Sequence, residues 1–280
     1  MSASAADFDL DRLGDLPALP QVVLDVQDAL SRENVSIDEI AARISHDQAL
    51  AARTLRLANS SFYGVRGRVV SIRSAIGVLG LRSMSTLLTA AAIGGAVQRV
   101  DCEDFRLDDF WRHSIAVALC AQAIARTLRV ETDAAFTAGL LHDLGRLALA
   151  SKAPTEMAAI VARRGADDST MLEAEHQVLG ADHALIGARV AARWHFGAQV
   201  VDAIRLHHEP PTAAGPTLID IVHAADCMVH ALDVAHDAYE MVPPLAVESW
   251  NRLALSPAQC LAVLRETEAE LVELCALLAI

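Results

Sequence analysis

Ten of the eleven histidines in this 280-residue chain fall between positions 113 and 236, and only His46 lies outside that window. Several interrupt stretches that are otherwise apolar. His113 follows Phe110-Trp111; His142 and Asp143 are adjacent in Gly139-Leu140-Leu141-His142-Asp143-Leu144-Gly145-Arg146; His183 stands in Ala181-Asp182-His183-Ala184; His207 and His208 are neighbours; Asp226 ends Val222-His223-Ala224-Ala225-Asp226. Imidazoles and carboxylates are the ligand set for Fe, Mn, Zn or Mg, and a carboxylate can bridge two ions. Two ions about 3.5–4 Å apart polarise a phosphoryl oxygen and present a hydroxide in line with the leaving group. Adjacent residues of a helix point about 100° apart, so His142 and Asp143 can both ligate only across a helix shoulder. Each residue also has a plainer reading. A single His on an apolar helix is more often a hydrogen-bonded core residue, His207-His208-Glu209-Pro210 fits a solvated turn, and His223 and His230 are spaced to cap or pair with Asp226. His46, His176, His195 and His236 have no companions and read as structural or exposed.

The elements that must hold these residues are helices. The chain is 53% hydrophobic but only 4% aromatic, and it contains 53 alanines. Ala has the best helix propensity, whereas strands favour β-branched and aromatic residues. Helical periodicity runs almost throughout, and no segment shows a sustained alternating strand pattern. Ser36-Ile37-Asp38-Glu39 and Ser256-Pro257-Ala258-Gln259 read as helix starts, Ser three residues before Glu or Gln. Loops are expected at 32–34, 64–68, 100–105, 163–168, 210–216 and 242–244. The predicted class is all-α: two packed helical subdomains, a disordered terminus at 1–9, an N-terminal subdomain at 10–100, a helical bundle at 101–240 and a helical extension at 241–280.

Net charge is −13, which excludes a generally basic nucleic-acid binder. The excess is uneven. Residues 51–100 carry no acid and seven arginines (Arg53, Arg56, Arg66, Arg68, Arg73, Arg82 and Arg99), a +7 stretch within a −20 remainder. It reads as a face for an acidic protein, a nucleotide or a nucleic acid, or more plainly as a solvated surface or an internal match to the acidic segments flanking it. Cys102, Cys120, Cys227, Cys260 and Cys275 are odd in number and widely spaced, so they read as reduced thiols. The N-terminus lacks a secretory pattern and no apolar run is long enough for a membrane span, so a cytoplasmic protein is expected.

The N-terminal half carries longer motifs: Leu16-Pro17-Ala18-Leu19-Pro20-Gln21, Ile44-Ser45-His46-Asp47-Gln48-Ala49-Leu50, Leu55 to Gly64 around Asn59-Ser60-Ser61-Phe62-Tyr63, and Ser71-Ile72-Arg73-Ser74-Ala75-Ile76 to Gly80. With them the chain, over residues 10–235, resembles the HDOD family, the HD-related output domain of bacterial signalling. The order of its histidines and aspartates resembles the wider HD superfamily of metal-dependent phosphohydrolases. By that resemblance His113, His142, Asp143 and Asp226 would hold one divalent ion. Asp143 would bridge to a second, held by His183, His207 and His208, and Asp109, four residues before His113, would add a ligand. Asp143 and Arg146 would be the catalytic pair, Arg146 contacting phosphate where cyclic-dinucleotide phosphodiesterases of the HD-GYP type carry Lys. No Gly-Tyr-Pro follows His208, and Gln48 stands where the family has proline.

Two functions follow from the resemblance. The first is a stand-alone signal-transduction regulator acting through a signalling protein or a phosphate-containing ligand. The second is a dimetal phosphohydrolase acting on a nucleotide or cyclic nucleotide. HDOD domains often lack the catalytic set that this chain retains, which keeps the second open. Ile37 to Leu57 has a helix-turn-helix cadence, but its continuation matches HDOD and not a recognition helix, so specific DNA binding is not expected.

Overall fold

The computed structural model describes residues 19–30, 36–59, 69–96, 100–103, 105–167, 169–234 and 241–278. The segment 1–9, the loops expected at 32–34 and 64–68, and Arg66, Arg68, Arg99 and His236 lie outside the described residues. All regular structure among the described residues is helical. The N-terminal half contains α1 (Gln21–Leu30), α2 (Ile37–His46), α3 (Gln48–Ala58) and α4 (Ile72–Ala96). Then come α5 (Leu107–Leu128), α6 (Thr132–Leu141), α7 (Leu144–Lys152), α8 (Pro154–Asp167), α9 (Met171–Leu179), α10 (His183–Arg193), α11 (Ala198–Leu206), α12 (Leu218–His230), α13 (Val247–Leu253) and α14 (Pro257–Leu278).

α5 is the axis of the molecule. From Phe110 to Ala125 every residue but Arg112 is buried, because its alanines, valines and leucines are apolar on all faces and such a helix must be surrounded. α6, α12 and α14 pack around it. Small side chains set how close they come: a Cβ at Gly139 would lie 2.9 Å from the Ala118 Cα and the Val117 carbonyl, so α6 rests backbone against backbone on α5. The apolar core is continuous from Leu19 in the N-terminal half to Cys275 in α14. Hydroxyls stitch α4 to α6 within it, with Thr86 and Thr137 Oγ1 atoms 2.9 Å apart and Ser83 Oγ donating to Asp133 Oδ2 at 2.9 Å.

Local signals explain most boundaries. Ser36 Oγ accepts from Glu39 N at 3.3 Å, and Ser256 and Gln259 complete a reciprocal cap in which Gln259 Oε1 accepts from Ser256 N at 2.9 Å. At 163–168 the structure differs from the expected loop: α8 continues to Asp167, tied by an ion pair between Arg163 Nε and Asp167 Oδ2 at 2.6 Å one turn apart, and Gly165 does not end it. α2 and α3 are joined by Asp47 alone, whose carboxylate accepts from Leu50 N at 3.0 Å. A DNA-binding helix-turn-helix needs a turn of three or four residues. From the cationic stretch, Arg73 pairs with Asp38 of the acidic segment before it, and Arg53 donates to the Ala91 carbonyl at 3.5 Å. The five cysteines are free thiols. No helix among the described residues is long and apolar enough to cross a membrane.

Candidate metal centre

His142 and Asp143 do not share a helix. α6 ends at Leu141 and α7 begins at Leu144, so the dipeptide is the corner between them, Asp143 standing at the N-cap of α7 with φ −95° and ψ 13°. The corner turns the two side chains into one space without the helix-shoulder geometry that a continuous helix would demand. Gly145 then lets α7 run hard against α10: a Cβ there would lie 2.0 Å from the His183 carbonyl and 2.8 Å from Gly187 N. His183, first residue of α10, is thereby delivered to Asp143. α5 brings His113, the end of α11 brings His207 and His208, and α12 brings Asp226.

The polar atoms converge closely. His113 Nε2 lies 3.3 Å from His142 Nε2 and 3.2 Å from Asp226 Oδ1. Asp143 Oδ1 lies 3.6 Å from His142 Nε2 and 3.1 Å from His183 Nε2, between the two halves of the cluster. His208 Nε2 and His183 Nε2 are 2.9 Å apart, and His207 groups with both. His113, His142, Asp143, His183, His207 and Asp226 are buried, and His208 is half-buried. Of the residues singled out in the sequence, Asp109 does not join them. Its carboxylate sits in the first turn of α5 and pairs with Arg106 Nε at 2.8 Å. Arg146 is at the rim, its Nη1 donating to Asp143 Oδ2 at 2.8 Å.

The outer nitrogens show which way the rings face chemically. His142 Nδ1 meets the Gly139 carbonyl, and His207 Nδ1 meets the Ile204 carbonyl, each at 2.7 Å. A carbonyl can only accept, so each Nδ1 carries a proton, and in the neutral ring Nε2 then offers its lone pair inward. His207 Nε2 is buried with no hydrogen-bond partner among the described residues. Burying such an atom is costly unless something fills the space it faces. Nitrogen lone pairs set against one another around two carboxylates form a donor set for cations of the Fe, Mn or Zn type, and the residues present fit such ions.

Electrostatics supports that reading at the two aspartates and at His113, His207 and His208, and opposes it at His142 and His183, which nearby carboxylates raise against burial. Burial alone would raise the Asp143 carboxyl, but His142, Arg146 and His183 outweigh it and hold the group well below the usual carboxylate range. Asp226 is likewise held low against burial by His230, His113 and His142. Burial pushes His113 and His208 down, and takes His207 to about 3, so these rings are neutral and free to ligate at ordinary pH. His183 goes the other way: burial opposes its charge, but Glu175 and Asp143 on either side raise it to about 10.

Two residues beyond the sequence-derived set belong to this cluster. Glu175 Oε2 accepts from both the backbone N and Nδ1 of His183, at 2.9 and 2.7 Å. Its signal was a carboxylate on the buried stripe of α9 between Ala174 and Leu179. His230 Nε2 lies 3.3 Å from Asp226 Oδ1, one helical turn away, which is the pairing that its spacing suggested. His223 links rather than ligates. Its Nδ1 donates to the His207 carbonyl at 2.7 Å, and its Nε2 accepts from Ala246 N at 2.9 Å. His176 pairs with Asp182 at 3.2 Å, His195 lies 3.7 Å from Asp28, and His46 is exposed.

Comparison with known proteins shows the family. An uncharacterized protein of Treponema pallidum is 31% identical over 240 residues, covering 83% of this chain and 45% of that protein, so the chain spans less than half the length of this relative. The solved structure of an HDOD domain protein from Geobacter sulfurreducens superposes with a TM-score of 0.74 at 26% identity, covering 98% of this chain and 95% of the other. A phosphohydrolase-like protein from Shewanella amazonensis gives a TM-score of 0.68 at 29% identity, covering 92% and 97%. The HDOD domain profile matches residues 16–210, from before α1 to the histidine pair after α11, and the chain belongs to the HDOD family.

Proposed function

We propose that this HDOD chain is a cytoplasmic signal-transduction regulator built around a divalent-metal centre, and that it responds to a signalling protein or a phosphate-bearing ligand. The observation that carries the metal reading is the set of buried imidazoles whose Nδ1 atoms are committed outward while their Nε2 atoms crowd inward. His113, His142, Asp143 and Asp226 would hold one ion, and His183, His207 and His208 a second, with Asp143 Oδ1 between them. Asp143 is suited to that position because Arg146 engages its other oxygen and fixes the carboxylate plane.

A second reading, a dimetal phosphohydrolase, is favoured by the shared Asp143 and by a guanidinium at the rim of the same cluster. When bound, the two ions would supply Lewis acidity and a water of lowered pKa. The chain itself would orient a phosphate with the Arg146 fork and shelter the reacting centre beneath α5 and α12. Metal analysis of purified protein tests the common premise. Stoichiometric iron, manganese or zinc that is lost in Asp143→Ala supports the centre, and fewer than about 0.2 ions per chain overturns it. Hydrolysis of bis(p-nitrophenyl) phosphate by the loaded protein, abolished in Asp143→Ala, selects the enzyme over the regulator.

A further inference from the structure

Asp226 Oδ1 is surrounded by more imidazole nitrogens than hydrogen bonding can serve. It lies 3.2 Å from His113 Nε2, 3.5 Å from His142 Nε2 and 3.3 Å from His230 Nε2. A carboxylate oxygen has two lone pairs, and His142 in its neutral form has no proton to give from Nε2, since its Nδ1 donates to Gly139. The His113 and His230 rings are 4.6 Å apart between centroids, and one ring nitrogen of each and a carboxylate oxygen of Asp226 all lie within 4.8 Å of one another. That spread suits donors around one ion with bonds of about 2.0–2.2 Å. His230 is the last residue of α12, four beyond Asp226 on the same helix face, with its side chain 18% exposed at the edge of the cluster.

Resting on the metal reading above, we infer that His230 is a further ligand of the ion held by His113, His142, Asp143 and Asp226, and that it closes that half of the centre on its outer side. The two halves then differ in kind. The first has three imidazoles and two carboxylates, and a site filled by protein donors holds its ion firmly. The second has three imidazoles and the shared Asp143, and it keeps a position for an exogenous anion such as phosphate. The competing role for His230 is charge alone, a protonated ring at a helix C-terminus paired with Asp226. Arginine separates the two roles, because it can pair with a carboxylate but has no lone pair to give a metal.

The experiment compares the full chain with His230→Ala, His230→Gln and His230→Arg, each stripped with chelator and reloaded with Co²⁺, using thermal melts to select folded protein. Bound metal, visible absorption and release into excess chelator are measured. Wild type is expected to hold two ions, one of which leaves slowly. In all three variants the slow ion should leave at least about tenfold faster, and the cobalt d–d absorption should intensify as a ligand is lost. Imidazole added to His230→Ala should slow release again. Wild-type release and spectrum in His230→Arg would overturn the inference while leaving the metal centre intact. Wild type that takes up no cobalt would overturn the metal centre itself, and this inference with it.

Discussion

Glu175 shows how one side chain can decide what a neighbouring histidine does. Its Oε2 takes two hydrogen bonds from His183, while Oε1 is buried with no hydrogen-bond partner among the described residues. Leaving that oxygen dry costs on the order of 1–3 kcal/mol or more, so the residue is poor value as a stabiliser alone. As a partner it fixes the tautomer and the basicity of His183, which is what a carboxylate would do behind that histidine in the proposed centre. Glu175→Gln keeps an acceptor but loses the charge, and we expect it to weaken the ion on the His183, His207 and His208 half by about 10–100-fold. Chelator competition measures this directly; unchanged affinity would make Glu175 a packing residue. Several ligand candidates were legible in the sequence because they interrupt apolar runs, and the resemblance to HD proteins supplied the rest of the set. Glu175 was harder to read, because its partner is eight residues away, past the left-handed turn at Gly180, and only the fold brings them together.

At the scale of elements, the cluster depends on helices approaching more closely than side chains allow. Gly145 and Gly187 face each other where α7 crosses α10, and the approach sets the Asp143 to His183 distance. Gly145→Ala would place a methyl against backbone that has no flexible end to move aside. The expected cost is about 3 kcal/mol, which lowers Tm by roughly 6–12 °C for a protein of this size. Metal affinity should fall with it, since α10 carries His183. Melting at the wild-type temperature with wild-type affinity would refute the crossing as the determinant of the site. The caps at Ser36 and Ser256 could be read directly because a cap is a local device. The corner at His142-Asp143 could not, since helical periodicity continues through it, and only the packing of α6 on α5 and of α7 on α10 divides the run in two. Gly165 misled in the opposite direction: a glycine with helical neighbours on both sides can remain inside a helix, and here the Arg163–Asp167 pair spans it.

For the whole molecule, the charge of −13 is less a repulsive shell than a set of local arrangements. Asp143 and Asp226 face imidazoles, Asp38 takes Arg73 from the cationic stretch, and buried Asp220 is capped by Thr217 and bound by Ser249 and Arg252, the latter two holding α13 onto α12. On α14 four glutamates accompany one arginine. Glu266 pairs with Arg126 of α5, but Glu270, half-buried one turn later, is pushed up to about 7 by burial and then by Glu266, with Arg126 only partly opposing. A carboxyl raised in the folded state binds more protons there than in the unfolded chain, where its value is about 4.3. Its contribution is therefore fully present below about pH 4.3 and is lost as pH rises through 7. Glu270→Gln removes that slope: the variant should match wild type near pH 4 and exceed it in stability at pH 8, where wild type must carry the ionised group against α5. Urea midpoints at the two pH values decide the matter. A wild-type slope preserved in Glu270→Gln would assign the pH dependence to other acids of the chain.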